Sequence, residues 1–228
     1  MNNKSPKPAV DSGAHRPDPR EVIGAAANQL KIDLPQGVAD QLAAYLALLA
    51  KWSRVYNLTA LRDPAEMLSH HILDSLAVIP PLLRHTDGRP LRLLDVGAGA
   101  GLPGVVIAAC CPEIRVDCVD TVAKKAAFIR QAALELKLPN LQAHHARVEH
   151  LPGPYEVITS RAFASLGDFT QWSLQALGPG GVWMALKGRR PDDELASLPA
   201  GVAVFHVEQL TVPGLDAQRC IVWLERTD

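Results

Sequence analysis

The chain has 228 residues, 48% of them hydrophobic and 21% charged, with a formal net charge of −1. That balance suits one well-filled α/β domain with a modest appendage, and no apolar run reaches the roughly 18 residues that cross a bilayer. Overall charge gives no footing for nucleic acid, so any such site must be a local patch.

The first 17 residues, rich in Pro, Ser, Asn and charge, have no apolar core of a secretory signal and are expected to be a disordered tail in a cytoplasmic protein. Cys110, Cys111, Cys118 and Cys220 show no Cys-x-x-Cys and no ligand spacing with histidine. Buried, reduced thiols and no metal site are the expectation.

The spacing predicts a helix over 19–30, with Asp18 as its cap. Val38, Leu42, Tyr45, Leu49 and Trp52 then recur at i, i+4, i+7, i+11 and i+14, the stripe of an amphipathic helix. Another helix begins at Pro64 and is expected to be ended by Pro80-Pro81. From Leu91 short apolar runs alternate with helical ones. Strands are expected at 91–96, 114–120, 141–146, 155–160 and 181–188, with helices at 103–111, 122–137 and 168–177. Two late strands, 202–210 and 218–225, form a hairpin. This alternation predicts a mostly parallel, twisted sheet with helices on both faces over 89–228, preceded by a helical region over 18–88.

The stretch LLDVGAGAGLPG (93–104) holds two glycine registers. Gly97, Gly99 and Gly101 form G-x-G-x-G, whereas Gly99, Gly101 and Gly104 form the G-x-G-x-x-G of dinucleotide sites. Asp95, just before the turn, would repel a pyrophosphate and favour the cationic, phosphate-free S-adenosylmethionine. A role for Asp95 in capping loop amides is equally open. Asp120 ends the second strand, where an acid binds ribose hydroxyls or caps the next helix. Pro103 then starts a helix, Gly104 lets it pack, and Leu102 covers the cofactor's apolar side.

WSRVYNLTA (52–60), HHILDSL (70–76), LLDVGAGAGLPG, VDTVAKKAAFIRQ (119–131), ARVEHL (146–151), SRAFASL (160–166) and GGVWMALKG (180–188) stand in the order of one family. Over residues 35–228 the chain resembles the ribosomal RNA small subunit methyltransferase G family, also called glucose-inhibited division protein B. The resemblance implies a class I, Rossmann-like methyltransferase. It implies methyl transfer from S-adenosylmethionine to N7 of a guanine in 16S ribosomal RNA, in the small subunit or its precursor. It assigns cofactor contacts to Gly97, Leu102, Val148, Glu149 and Arg161, to which loop and ribose logic add Gly99, Gly101 and Asp120.

Guanine N7 carries a free lone pair, so no general base is assigned. SRAF, in place of the Pro-Pro-aromatic motif of amine methylation, agrees with that target. Asn57, His71, Lys124, Lys125, Phe163, Lys187 and Arg189 are the candidate RNA contacts, Phe163 against the target base and the cations on phosphates. His70, His71 and Asp74 share one helix and read as a hydrogen-bonded cluster that positions substrate or the loop 57–59. A monomer is expected. Competing readings are a small-molecule methyltransferase, an oxidoreductase using the second glycine register, and a non-catalytic assembly factor.

Overall fold

The computed structural model describes residues 17–227, so the expected tail lies, apart from Pro17, outside the described residues. Seven strands form one sheet: β1 Leu91–Val96, β2 Ile114–Asp120, β3 Leu141–His145, β4 Tyr155–Arg161, β5 Leu177–Lys187, β6 Val202–Leu210 and β7 Arg219–Arg226. Their order is β3-β2-β1-β4-β5-β7-β6. β1 to β5 run parallel, while β7 is antiparallel to both β5 and β6. The expected hairpin forms, with its second strand as the inner one.

Successive strand residues face opposite layers, as a period of two requires. Leu93, Val116, Val157 and Met184 face a core built with the N-terminal helices, whereas Leu94, Val119, Ile158 and Trp183 face a second, smaller core. The larger core includes α1 (Pro19–Gln29), α2 (Val38–Tyr56), α3 (residues 64–76), α4 (Ile79–Thr86), α5 (Gly104–Cys110) and α6 (Ala123–Glu135). The smaller core holds α7 (Leu166–Ser173), with α8 (Asp192–Ala196) packed at its margin through Leu195. The helical region and the sheet therefore share one core, and apolar burial is what joins them.

Local signals explain most ends. Asp18 accepts from Arg20 N and Asp63 from Ala65 N, each with a proline as the first helical residue. Asn57, with φ +52°, closes α2 in the left-handed region. Two expectations need correction. Pro80-Pro81 do not end α3, which stops at Leu76; they lie in the first turn of α4, where a missing N–H has no helical partner to lose. The helix expected at 168–177 begins at Leu166 because Ser165 accepts from Asp168 N, and it gives way to strand at Leu177. The middle of α3, Leu68–Leu73, is π-helical. Among the described residues no helix is long and apolar enough to cross a membrane.

Candidate active site

β1 lies between β2 and β4, so the strand order switches beside it, and in such sheets ligands sit at the carboxyl ends of the strands there. Two cavities, of about 400 and 600 Å³, open at that point and share Gly97, Lys125 and Ala162. Val119, Asp120, Val148, Glu149, Phe163 and Trp172 wall the smaller one. Thr59, His71, Asp74, Leu102, Lys187 and Arg219 wall the larger, together with Arg161.

In the loop from β1 to α5 the glycines of the two registers differ in conformation. Gly97, Gly99 and Gly101 have φ of +64°, +60° and +89°, which side-chain-bearing residues rarely adopt. Gly104 lies outside that region and is required for another reason: a Cβ there would run into Cys118 Sγ and Asp95 Oδ2. The first three glycines shape the loop, and Gly104 lets α5 press onto β1 and β2. Pro103 precedes α5 and its carbonyl accepts from Ile107 N at 3.0 Å.

Of the two roles open to Asp95, the structure has the cap and not the cofactor contact. Its side chain is fully buried beneath the loop, lines neither cavity, and accepts from Gly104 N at 2.8 Å. Burial pushes its carboxyl up to about 7. Its physical role is the cap, and the register rests on backbone conformation instead. Asp120 binds Gly99 N at 3.0 Å through one oxygen and Val122 N at 2.8 Å through the other, with Lys125 Nζ at 3.5 Å. It therefore fixes both the loop and the start of α6 while it faces the smaller cavity.

The larger cavity is organised by Asp74. Its Oδ2 accepts from Arg161 Nη1 at 3.0 Å and its Oδ1 from Arg219 Nε at 2.6 Å. Arg161 also donates to the carbonyl of His70 at 2.9 Å, tying β4 to the π-helical turn of α3. The His71 Nε2 lies 2.8 Å from Thr59 Oγ1, so the expected link from this helix to the loop 57–59 is present. Burial, with Arg161 nearby, pushes the His71 imidazole down to about 4, so it is neutral at ordinary pH.

The candidate residues divide as follows. Gly97, Gly99, Leu102, Arg161, His71, Lys125 and Lys187 line the larger cavity, and Asp120, Val148, Glu149 and Phe163 the smaller. Gly101 lies behind the loop, where a Cβ would meet Val105 and Ile129. Phe163 packs against Gly97 and stands edge-on to Trp172, with ring centroids 5.8 Å apart. Its ring thus sits by the smaller cavity. Lys187 is engaged by Glu194 at 2.8 Å, and Glu149 by Arg147 at 2.6 Å. Asn57, Lys124 and Arg189 line neither cavity; Asn57 caps α2 and accepts from Arg62, while Lys124 and Arg189 are exposed. Trp172 and Arg219 go unremarked in the sequence. Arg219 had a signal: a reversed last strand starts where the parallel strands end, as the pairing of Lys187 with Cys220 demonstrates.

The GidB family, rRNA small subunit methyltransferase G, matches residues 38–222. The chain belongs to this family. A ribosomal RNA small subunit methyltransferase G from Acidovorax sp. (strain JS42) is 64% identical over 206 residues, covering 87% of this chain and 91% of its own. One from Leptothrix cholodnii is 59% identical over 210 residues, covering 92% and 96%. Among solved structures, TrmN from Thermus thermophilus aligns with a TM-score of 0.55 and 26% identity over 70% of this chain and 53% of that one. A SAM-dependent methyltransferase from Aquifex aeolicus aligns with a TM-score of 0.54 and 16% identity over 75% and 97%. The expected Rossmann-like methyltransferase fold is therefore present, and the chain is a methyltransferase of the G family.

Proposed function

We propose that this chain transfers a methyl group from S-adenosylmethionine to N7 of a guanine in 16S ribosomal RNA, within the small subunit or its precursor, as a cytoplasmic monomer. The names of its relatives and the family match support ribosomal RNA of the small subunit as substrate. The observation that carries the reading is the junction of two chemically different cavities at Gly97.

The smaller cavity suits the nucleoside half of S-adenosylmethionine. It offers the apolar walls of Val119 and Val148 beside the Asp120 carboxylate, whose remaining lone pairs suit ribose hydroxyls. Across Gly97, Arg161 faces the larger cavity and suits an amino-acid carboxylate. When bound, the cofactor supplies an electrophilic methyl group. Lys125, Arg161, Lys187 and Arg219 surround the larger cavity, and Asp120, Asp74 and Glu194 pair with them, so four cations against three carboxylates leave one net positive charge there although the chain's is −1. That patch suits a phosphodiester backbone better than a neutral metabolite.

The residues have mainly to orient. The guanine N7 lone pair needs no deprotonation, and His71, held neutral and bonded to Thr59, is placed to shape the wall. Alignment of the acceptor with the donor then supplies most of the acceleration.

The test is the RNA of a strain lacking this protein. Borohydride–aniline cleavage followed by primer extension should lose one 7-methylguanosine stop in 16S RNA, and purified protein should restore it on isolated small subunits. An unchanged stop pattern, or labelled methyl transfer to a metabolite extract but not to subunits, overturns the proposal.

A further inference from the structure

The loop that carries Gly97, Gly99 and Gly101 has internal bonds, Gly101 N and Leu102 N both donating to Ala98 O, but most of its anchors lie outside it. Three residues in the left-handed region confer access to many conformations, and ordering them costs entropy. Outside bonds pin it. Ala98 N donates to Val119 O at 3.1 Å, Gly99 N to Asp120 at 3.0 Å and Gly104 N to Asp95 at 2.8 Å. These anchors all lie on β1 and β2. A fourth comes from elsewhere: Tyr45 Oη, midway along α2, donates to the carbonyl of Ala100 at 2.6 Å.

We propose that Tyr45 is a positioning residue for the methyl-donor loop, through which the N-terminal helical region sets the affinity for the cofactor. This rests on the assignment of S-adenosylmethionine to that loop. The ring of Tyr45 is fully buried, and no other hydrogen bond among the described residues reaches the Ala100 carbonyl. The N–H of the same peptide, on Gly101, donates to Ala98 O at 2.7 Å. Both ends of the Ala100–Gly101 peptide are thus fixed, and with them the orientation of a segment whose Gly97, Gly99 and Ala100 face the larger cavity. A buried tyrosine hydroxyl finds a partner in any fold; here the partner is the ligand loop, so the bond acts beyond packing.

Tyr45→Phe keeps the ring and its contact with Phe128, at 6.1 Å between centroids, and removes only the hydroxyl. Calorimetric titration with S-adenosylhomocysteine is expected to give weaker binding, up to about fivefold, since the net worth of one hydrogen bond bounds what re-ordering the loop can cost. KM for S-adenosylmethionine should rise to match, with kcat at saturating cofactor within about twofold of wild type. Tyr155→Phe is the control, because that hydroxyl is also largely enclosed but bonds Asp117 at 3.0 Å, away from both cavities. It should lower the melting temperature and leave cofactor affinity unchanged. Equal binding by wild type and Tyr45→Phe, or equal effects of the two substitutions on binding, overturns the inference. Wild-type protein that binds no S-adenosylhomocysteine overturns the cofactor assignment and the inference with it.

Discussion

Arg161 at the end of β4 and Asp74 in α3 meet at 3.0 Å, across 87 residues of sequence. Their side chains are 19% and 8% exposed, and Arg219 closes on the other carboxylate oxygen. Removing one member of a covered ion pair strands the other, which costs about 3 kcal/mol or more. Asp74→Ala leaves two guanidinium groups facing each other. Urea unfolding should therefore show a loss of about that size, and methyl transfer to small subunits should fall with it. Wild-type unfolding of Asp74→Ala would refute the organising role.

Gly97 and Phe163 give a second, steric test. A Cβ at Gly97 would overlap the Phe163 ring, and the φ of +64° adds a conformational penalty of about 1 kcal/mol. Gly97→Ala should sharply weaken S-adenosylhomocysteine binding. The double variant Gly97→Ala with Phe163→Ala removes the collision but not the backbone strain, so it should recover part of the affinity. Titration of the four proteins of that cycle measures the coupling. Additive losses would mean that the ring and the glycine act independently.

The helix stripes, the strand alternation and the loop after β1 were legible because each is written within one short window of sequence. The same holds for Asp18 and Asp63 as caps. Pro80-Pro81 point to the right locality but the wrong role, and the two roles open to Asp95, cofactor partner or cap, are separated only by burial, since both cases depend on what packs above them. Arg219 stayed hidden because its value comes from a partner on another element, Asp74, whereas Thr59 was legible only as part of the loop 57–59 that the His71 helix holds. Lys187 and Lys125 were found by position, yet their carboxylate partners Glu194 and Asp120 emerged only in three dimensions.

The division of labour among the glycines makes a further prediction. A Cβ on Gly104 would press on Cys118 and Asp95 in the core, whereas one on Gly99 would meet only Gly97 O at an ordinary 3.9 Å and has mainly its φ of +60° to satisfy. Gly104→Ala should therefore lower the melting temperature strongly. Gly99→Ala should lower cofactor affinity with a smaller change in melting. Thermal melts of unliganded protein and titrations of both variants separate the two. The reverse pattern would restore the dinucleotide register.

Asp95 and His71 impose opposite pH dependences on stability. The Asp95 carboxyl is raised from 3.8 to about 7, so the unfolded chain binds fewer protons than the folded one between those values, and its contribution declines as pH rises through that window. The His71 imidazole is lowered from 6.5 to about 4, so the unfolded chain binds more protons there, and its contribution is lost as pH falls from 6.5 towards 4. Asp95→Asn keeps an acceptor for Gly104 N and should gain stability relative to wild type steadily from pH 4 to 7. His71→Gln should do best relative to wild type near pH 4 and lose that advantage by pH 6.5. Unfolding of the three proteins at half-unit pH steps reads both slopes. Because His71 is already neutral above pH 5, kcat should also be flat from pH 6 to 8; an inflection near 6.5 that disappears in His71→Gln would mean that this imidazole titrates during turnover and that base-free methyl transfer is wrong.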